Sequence, residues 1–283
     1  MKLQFLGTGA AEGAPAIFCK CAVCMELRRR GEKEYHTRSQ YLIDEELGIE
    51  FPPDAYLHAL RFDVDLTKMK HLLITHSHMD HFYAHDFILR GYKYTTESAL
   101  PLTIYGNSEV IKVFKECTQR EMKDSVAPNF TLKQVAPFQP FEIEGGYEVT
   151  PLLAQHSKEE QALLYLIEKG DKAYLHLTDT GRLPQATLDY LEQYLNKKRK
   201  TVDFVTFDCT FLRHTAGEVS RHMGLEDNKA MQAEFLRRKI ADEHTRYAIT
   251  HYSHNSAPLS ENLQQIGAEY GYIPAFDGLC VEI

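Results

Sequence analysis

The run Thr75-His76-Ser77-His78-Met79-Asp80-His81 places three imidazoles and a carboxylate within six positions. Imidazole suits zinc, iron and their neighbours, and a carboxylate also admits manganese. Side chains packed this densely along one loop cannot all converge on a single point, so the set suits two adjacent metal ions. A hydrolytic two-metal site also needs further ligands, a bridging carboxylate and a water acidified by the ions. Downstream candidates exist. One ion can take His76, His78 and His156, and the other Asp80, His81 and His251. Asp179, within Leu177-Thr178-Asp179-Thr180-Gly181, can bridge them. Singly, each downstream residue has a plainer reading: a His after a strand is often a hydrogen-bonded surface group, and an Asp before Thr-Gly a turn or N-cap. Their joint presence carries the metal reading.

A second cluster is Cys19-Lys20-Cys21-Ala22-Val23-Cys24. Without an apolar secretory segment at the N-terminus, three clustered cysteines point to a metal rather than to disulfides. Tetrahedral structural zinc needs a fourth ligand, and no fourth cysteine lies near in sequence. Cys117, Cys209 and Cys280 read as small buried hydrophobes.

The elements that must position these groups alternate short apolar runs with helix-like stretches. Strands are expected at Leu3–Leu6, Gln40–Ile43, Leu72–Ile74, Leu102–Tyr105, Glu148–Leu153, Ala162–Ile167, Ala173–Leu177, Phe204–Phe207 and Tyr247–Ile249. Helices are expected at Ala22–Arg30, Val110–Cys117, Pro184–Leu195, Asn228–Arg238 and Ser260–Gly267. The ligand loop, His156, Asp179, Asp208 and His251 each follow a strand candidate, where the sheet holds side chains rigidly at a loop-lined edge. Strands in two batches with helices between and after them suggest two sheets face to face, a four-layer α/β arrangement.

Bulk properties set outer limits. A chain of 283 residues suits a single domain over 1–283, and 43% hydrophobic with 25% charged residues is an ordinary globular composition. No apolar run is long enough to span a membrane, and the N-terminus has no signal-peptide core, so a cytoplasmic location is the default. With 40 acidic against 32 basic residues, a net charge of −8 disfavours a broad nucleic-acid footprint. The runs Arg28-Arg29-Arg30 and Lys197-Lys198-Arg199-Lys200 read as solvated faces.

His-x-His-x-Asp-His after a strand, then a lone His, an Asp and a late His, resembles the metallo-β-lactamase-fold hydrolase superfamily. The matching residues are His76, His78, Asp80, His81, His156, Asp179 and His251, and Phe5-Leu6-Gly7-Thr8-Gly9 is similar to that superfamily's first strand and turn. The resemblance implies an αββα sandwich of two mixed sheets with a dinuclear zinc, manganese or iron centre at one sheet edge. Its phosphodiesterase branch also carries a carboxylate and a His that match Asp208 and His222. That branch implies in-line attack on phosphorus by hydroxide held at the dinuclear centre, where Asp80 belongs to the catalytic set. His222 would protonate the leaving oxygen and Asp208 would orient it. His222 also has a plainer reading, N-capping or flanking the helix that begins near Leu225, and His214 is a rival acid in what reads as a mobile turn.

The phosphoribosyl cyclic-phosphate phosphodiesterases have a Cys-x-Cys-x-x-Cys segment and close a structural zinc site with a His three residues after the last catalytic ligand. Here that set is Cys19, Cys21, Cys24 and His254. A reduced, metal-free loop with His254 touching substrate is the alternative. The segment after Asp44 lacks the family's tight Asp-x-Gly turn, so Asp44 and Asp54 read as surface or cap residues. The basic insertion of tRNA-processing relatives is not found. The expected activity is a phosphodiesterase on a small cyclic phosphate or nucleotide-like ester, with a small-molecule partner, no membrane and no nucleic acid. Symmetry statistics favour a homodimer. A lactone, ester or thioester hydrolase, a tRNA 3′-processing endonuclease, a metal-binding redox protein and an inactive scaffold are the other readings. Pocket walls are expected from loops such as Phe82–Thr96 and Ser125–Pro140, with Tyr83, Tyr92 and Tyr94 as candidate lining.

Overall fold

The computed structural model describes residues 1–97, 101–214, 216 and 219–283. The first half of the chain forms β1 (Lys2–Gly7), β2 (Gln40–Ile43), β3 (Leu47–Ile49), β4 (His71–Leu73), β5 (Leu102–Gly106) and β6 (Phe130–Gln134). The second half forms β7 (Phe141–Ile143), β8 (Tyr147–Leu153), β9 (Leu163–Lys169), β10 (Lys172–Leu177), β11 (Phe204–Asp208), β12 (Arg246–Thr250) and β13 (Ile273–Pro274), and β14 (Cys280–Glu282) ends the chain. They pair into two seven-stranded sheets, ordered β14-β1-β2-β3-β4-β5-β6 and β13-β12-β11-β10-β9-β8-β7. Both sheets are mixed in the same way. Read from β14 and from β7, three antiparallel pairings are followed by three parallel ones.

Helices α1 (Ala22–Arg30), α2 (Ala55–Arg61), α3 (Ser108–Thr118), α4 (Gln185–Lys198), α5 (Leu225–Arg237) and α6 (Ser260–Tyr270) complete the regular structure. The period-2 alternation of strands sorts β9 between two cores. Leu163, Tyr165 and Ile167 join Phe5, Tyr41, Ile49 and Val149 between the sheets, while Leu164 and Leu166 face outward with Leu188, Leu191, Phe235 and Leu263 of α4, α5 and α6. On the other outer face, Leu72, Ile74 and Ile104 pack with Phe82, Val110 and Phe114. The result is a four-layer αββα sandwich. A strand covered on both faces loses its polar alternation, which is why the central strands read as unbroken apolar runs.

The expected strands all form, with ends shifted by a residue or two. Missing from the sequence reading were β3, β6, β7, β13, β14 and α2. The missed strands are short or lie at sheet edges. Helix α2 buries Ala55 and His58 while Tyr56, Leu57 and Leu60 face solvent, an inverted amphipathicity that hides its period. Among the described residues no helix is long and apolar enough to cross a membrane.

Candidate metal centres

The ligand loop leaves β4 at a point clamped by the opposite sheet. The Tyr165 hydroxyl donates to the Ile74 carbonyl (2.7 Å), and the Leu163 amide to that of Thr75 (2.8 Å). Ser77 then donates to the Glu160 carboxylate through both amide and hydroxyl. Across the cleft, β8, β10, β11 and β12 end at His156, Asp179, Asp208 and His251. Asp179 and His251 take left-handed backbone angles, φ 62° and 65°, as does Glu50 at 66°. Such angles cost non-glycine residues on the order of 1 kcal/mol each and cluster where side-chain aim matters.

One ligand atom each from His76, His78, His156 and Asp179 lies within 4.8 Å of the others, and so do those of Asp80, His81, Asp179 and His251. The proposed bridging carboxylate belongs to both groups. Its Oδ2 is 3.0 Å from His81 Nε2 and 3.4 Å from His76 Nε2, and its Oδ1 is 3.0 Å from His156 Nδ1. His81 Nε2 is also 3.1 Å from Asp80 Oδ2. Both ring nitrogens of His81, Asp179 Oδ1 and His251 Nε2 are buried without a well-directed hydrogen bond among the described residues. Buried polar atoms are almost always satisfied, so orphans aimed at one shared space are what a bound cation would complete. The residues present fit a pair of divalent ions.

Hydrogen bonds behind the rings fix their tautomers. The Thr75 hydroxyl donates to Glu50 Oε1 (2.5 Å), so His76 Nδ1–H, 2.8 Å away, must donate to Thr75, leaving Nε2 unprotonated towards the cleft. Glu50 also faces His81 Nδ1 at 3.4 Å. On the far side, Thr210 donates to the His251 carbonyl (2.9 Å) and so receives His251 Nδ1–H at 2.8 Å, again freeing Nε2. Burial raises the Asp179 carboxyl, yet the surrounding His251, His222, His81 and His156 outweigh it and hold the group well below the usual range. Burial, followed by the charge of His81, drives His76 well down.

Beside Asp179 stands a second pair. His222 Nδ1 is 3.1 Å from Asp208 Oδ2 and 3.0 Å from Asp179 Oδ1. Asp208 is fully buried, and its other oxygen accepts the Thr210 and Met223 amides at 3.0 Å each. Burial pulls His222 down, but the charges of Asp208 and Asp179 prevail and raise it to about 11. The segment holding it is pinned: Gln155 Nε2 donates to the Ser220 carbonyl (3.0 Å), and Gly181 lies so close that a Cβ would stand 1.9 Å from that oxygen. His222 is not a helix cap. Gly224 takes that position in α5, with its amide donating to Asp227. His214 is exposed, and Thr215 and Gly217 of its expected turn lie outside the described residues.

The cysteine loop converges too. Ligand atoms of Cys19, Cys21, Cys24 and His254 lie within 4.8 Å of one another, with Cys21 Sγ 3.6 Å from His254 Nδ1. Cys21 caps α1, and Arg28, one helical turn on from Cys24, ties the loop by donating to the Cys19 and Ala16 carbonyls (2.7 Å each). The Cys24 amide, then the His254 ring, lower the Cys21 thiol to about 6, whereas burial pushes Cys24 up to about 11. Three thiols and an imidazole at this spacing suit tetrahedral zinc.

A cleft of about 410 Å³ opens over the paired site. Beyond the candidate ligands its walls include Glu12, Phe211, Arg221, Ser253 and Asn255, not the loops expected from sequence. Tyr92 and Tyr94 are exposed beside each other, with Lys93 and Lys123 over the Tyr92 ring. Other readings also change. Asp44 accepts bonds from Lys2, Tyr147 and Lys169 rather than standing free on the surface, and Asp54 occupies the N-cap position of α2 but turns its carboxylate to Arg38, with no side-chain bond to the helix. Cys209 is buried as expected, Cys117 is half-buried and Cys280 is exposed. The basic runs are engaged in part: Arg29 and Arg30 pair with Glu26, and Lys198 with Glu148 and Glu168. The supports Glu50, Thr75 and Thr210 were missed. The only sequence cue for the two threonines is adjacency to a ligand motif.

A family model described as the beta-lactamase superfamily domain matches residues 53–252. Among curated proteins, an octanoyltransferase of Porphyromonas gingivalis (strain ATCC BAA-308 / W83) is 27% identical over 165 residues, 56% of this chain and 31% of that protein. The match thus spans less than a third of that relative's length. Among solved structures, zinc-bound PqqB from Methylobacterium extorquens superposes with a TM-score of 0.74 at 18% identity, covering 100% of both chains. A diphosphatase from the PhnP family gives 0.69 at 23%, over 100% of this chain and 96% of that one. The short form of human tRNase Z gives 0.67 at 14%, over 100% and 99%. At such identities the likeness is one of fold.

Proposed function

The chain belongs to the metallo-β-lactamase superfamily of hydrolases, and on that premise we propose that it is a metal-dependent phosphodiesterase acting on a small cyclic phosphate or nucleotide-like ester. The observation that carries this reading is the Asp208–His222 pair beside Asp179. His76, His78 and His156 would hold one divalent ion, Asp80, His81 and His251 the other, and Asp179 both. Bound there, the ions would polarise the phosphoryl oxygens and lower the pKa of a water. Glu50, acting through Thr75, and Thr210 keep the His76 and His251 rings in the tautomers that leave Nε2 free. Asp208, fixed by two amides, orients His222 and keeps it protonated, so the ring can deliver a proton to the departing alkoxide. An alkoxide leaving from phosphorus needs that proton, whereas a thiolate leaving a thioester does not. Cys19, Cys21, Cys24 and His254 would hold one structural zinc that fastens the N-terminal loop beside the cleft.

The test is turnover by metal-loaded protein of bis(4-nitrophenyl) phosphate and 2′,3′-cyclic nucleotides against a lactone and a thioester. Hydrolysis of the phosphodiesters is expected. Turnover confined to the carbonyl substrates would overturn the assignment.

A further inference from the structure

Glu12 stands between the two candidate metal sites and belongs to neither ligand set. Its loop runs beside the segment that carries ligands of both sites. Gly9 bridges Tyr252 in parallel register, the Ala10 amide donates to the Tyr252 carbonyl (3.0 Å), and the Tyr252 amide to that of Thr8 (2.9 Å). Further along, the same loop reaches Cys19, and the Ala16 amide donates to Cys24 Sγ (3.3 Å).

Glu12 Oε1 accepts the hydroxyl of buried Ser253 at 2.6 Å and lies 3.9 Å from His254 Nε2. His254 presents its other nitrogen, Nδ1, to Cys21. At that distance the carboxylate makes no hydrogen bond to the ring, so Glu12 and the Nε2–H side of His254 bias each other's orientation through charge alone. Glu12 Oε2 accepts no hydrogen bond among the described residues, and the side chain lines the catalytic cleft. Its neighbours there narrow what it can meet. Arg221, whose guanidinium makes no hydrogen bond among the described residues, lines the same cleft and disfavours a cationic substituent, while Ser253 and Asn255 are neutral. A hydroxyl is the donor that suits this wall.

We propose that Glu12 is a substrate-binding residue that accepts a hydroxyl of the group esterified to phosphorus, and that the cysteine site sets its aim. This rests on the phosphodiesterase reading. The cysteine site then acts on specificity as well as on the shape of the loop.

Calorimetric binding to metal-loaded protein tests it without requiring turnover. Uridine 5′-monophosphate and its 2′,3′-dideoxy analogue differ only in their hydroxyls. Wild type should bind the hydroxylated compound about tenfold more tightly, as one hydrogen bond to a charged acceptor allows. Glu12→Ala should abolish that preference and Glu12→Gln should retain part of it. Cys21→Ser, or wild type stripped by chelator and reloaded with manganese, which thiolates take up poorly, should lose the same preference. Equal binding of the two compounds by wild type, or a preference that survives Glu12→Ala, would overturn the subsite. A preference lost in Glu12→Ala yet intact in the zinc-depleted protein would overturn the coupling. The 4-nitrophenyl esters of both nucleotides separately report the reaction: their resistance to hydrolysis would reject the phosphodiesterase reading while the binding difference still reported on Glu12.

Discussion

The His222 ring is only partly exposed and turns Nδ1 to two carboxylates that keep it protonated, so on the phosphodiesterase reading Nε2–H is the proton left for the leaving oxygen. Replacing it with alanine should leave the metal content unchanged and lower kcat by about 10²–10⁴-fold on poor leaving groups. The loss should shrink with nitrophenol, which departs without help. Equal losses across a leaving-group series, or loss of metal, would reject the acid role. Glu50 makes a different prediction, because it touches only the backs of the His76 and His81 arrangements. Glu50→Gln should weaken metal affinity about 10- to 100-fold, read by competition with a chromophoric chelator. Unchanged affinity would show the carboxylate to be a bystander. The two residues also mark what sequence can reveal. His222 and Asp208 follow strands in an order that is legible once the His-x-His-x-Asp-His motif is seen. Glu50 lies 25 positions before Thr75 in an apolar stretch and is brought to the ligand loop only by the pairing of β3 with β4.

Between elements, the carboxylate of Asp44 fastens one sheet to the other. It leaves β2, accepts the Lys2 amide of β1, and reaches the Tyr147 hydroxyl of β8 and the Lys169 ammonium of β9. Burial raises this carboxyl, but Lys169, the Lys2 amide and Tyr147 outweigh it and keep the group below its ordinary value. A carboxyl depressed in the folded state contributes stability above its unfolded value, near 3.9, and loses it as the pH falls through the folded one. Asp44→Asn should therefore cost about 1–2 kcal/mol at pH 7, with the gap to wild type closing below about pH 4. Denaturant titrations at both pH values would show it, and a gap independent of pH would contradict the ionic contribution. Sequence alone placed Asp44 on the surface, since a residue one step past a strand carries no sign of the opposite sheet. Apart from β3, whose three residues are too short a run to register, the central strands were legible because both of their faces are covered. The edge strands and α2 were not, because their side chains do not report which way is inward.

Across the whole molecule, metal ions are expected to hold together parts that the backbone alone leaves separate. At a free concentration a thousandfold above Kd, an ion bound only by the folded state contributes about 4 kcal/mol. Chelation should therefore lower Tm by several degrees, with recovery in two steps as zinc fills the cysteine site and a second metal the paired one. A Tm indifferent to chelation would mean the sites are not occupied under those conditions. Ligand order was legible across the full chain, and so was a joint site, because ligand-type residues follow strand after strand; the distances that make it one cluster come only from the fold. The crossing between β6 and β7 separates His76, His78, Asp80 and His81 from His156, Asp179 and His251. Two polypeptides divided at that crossing would each carry half of a coordination shell, and the second would also carry β14, a strand for the first one's sheet. Such a division should yield a fragment-complementation pair whose reassembly metal induces and chelator undoes, a protein switched together from pieces.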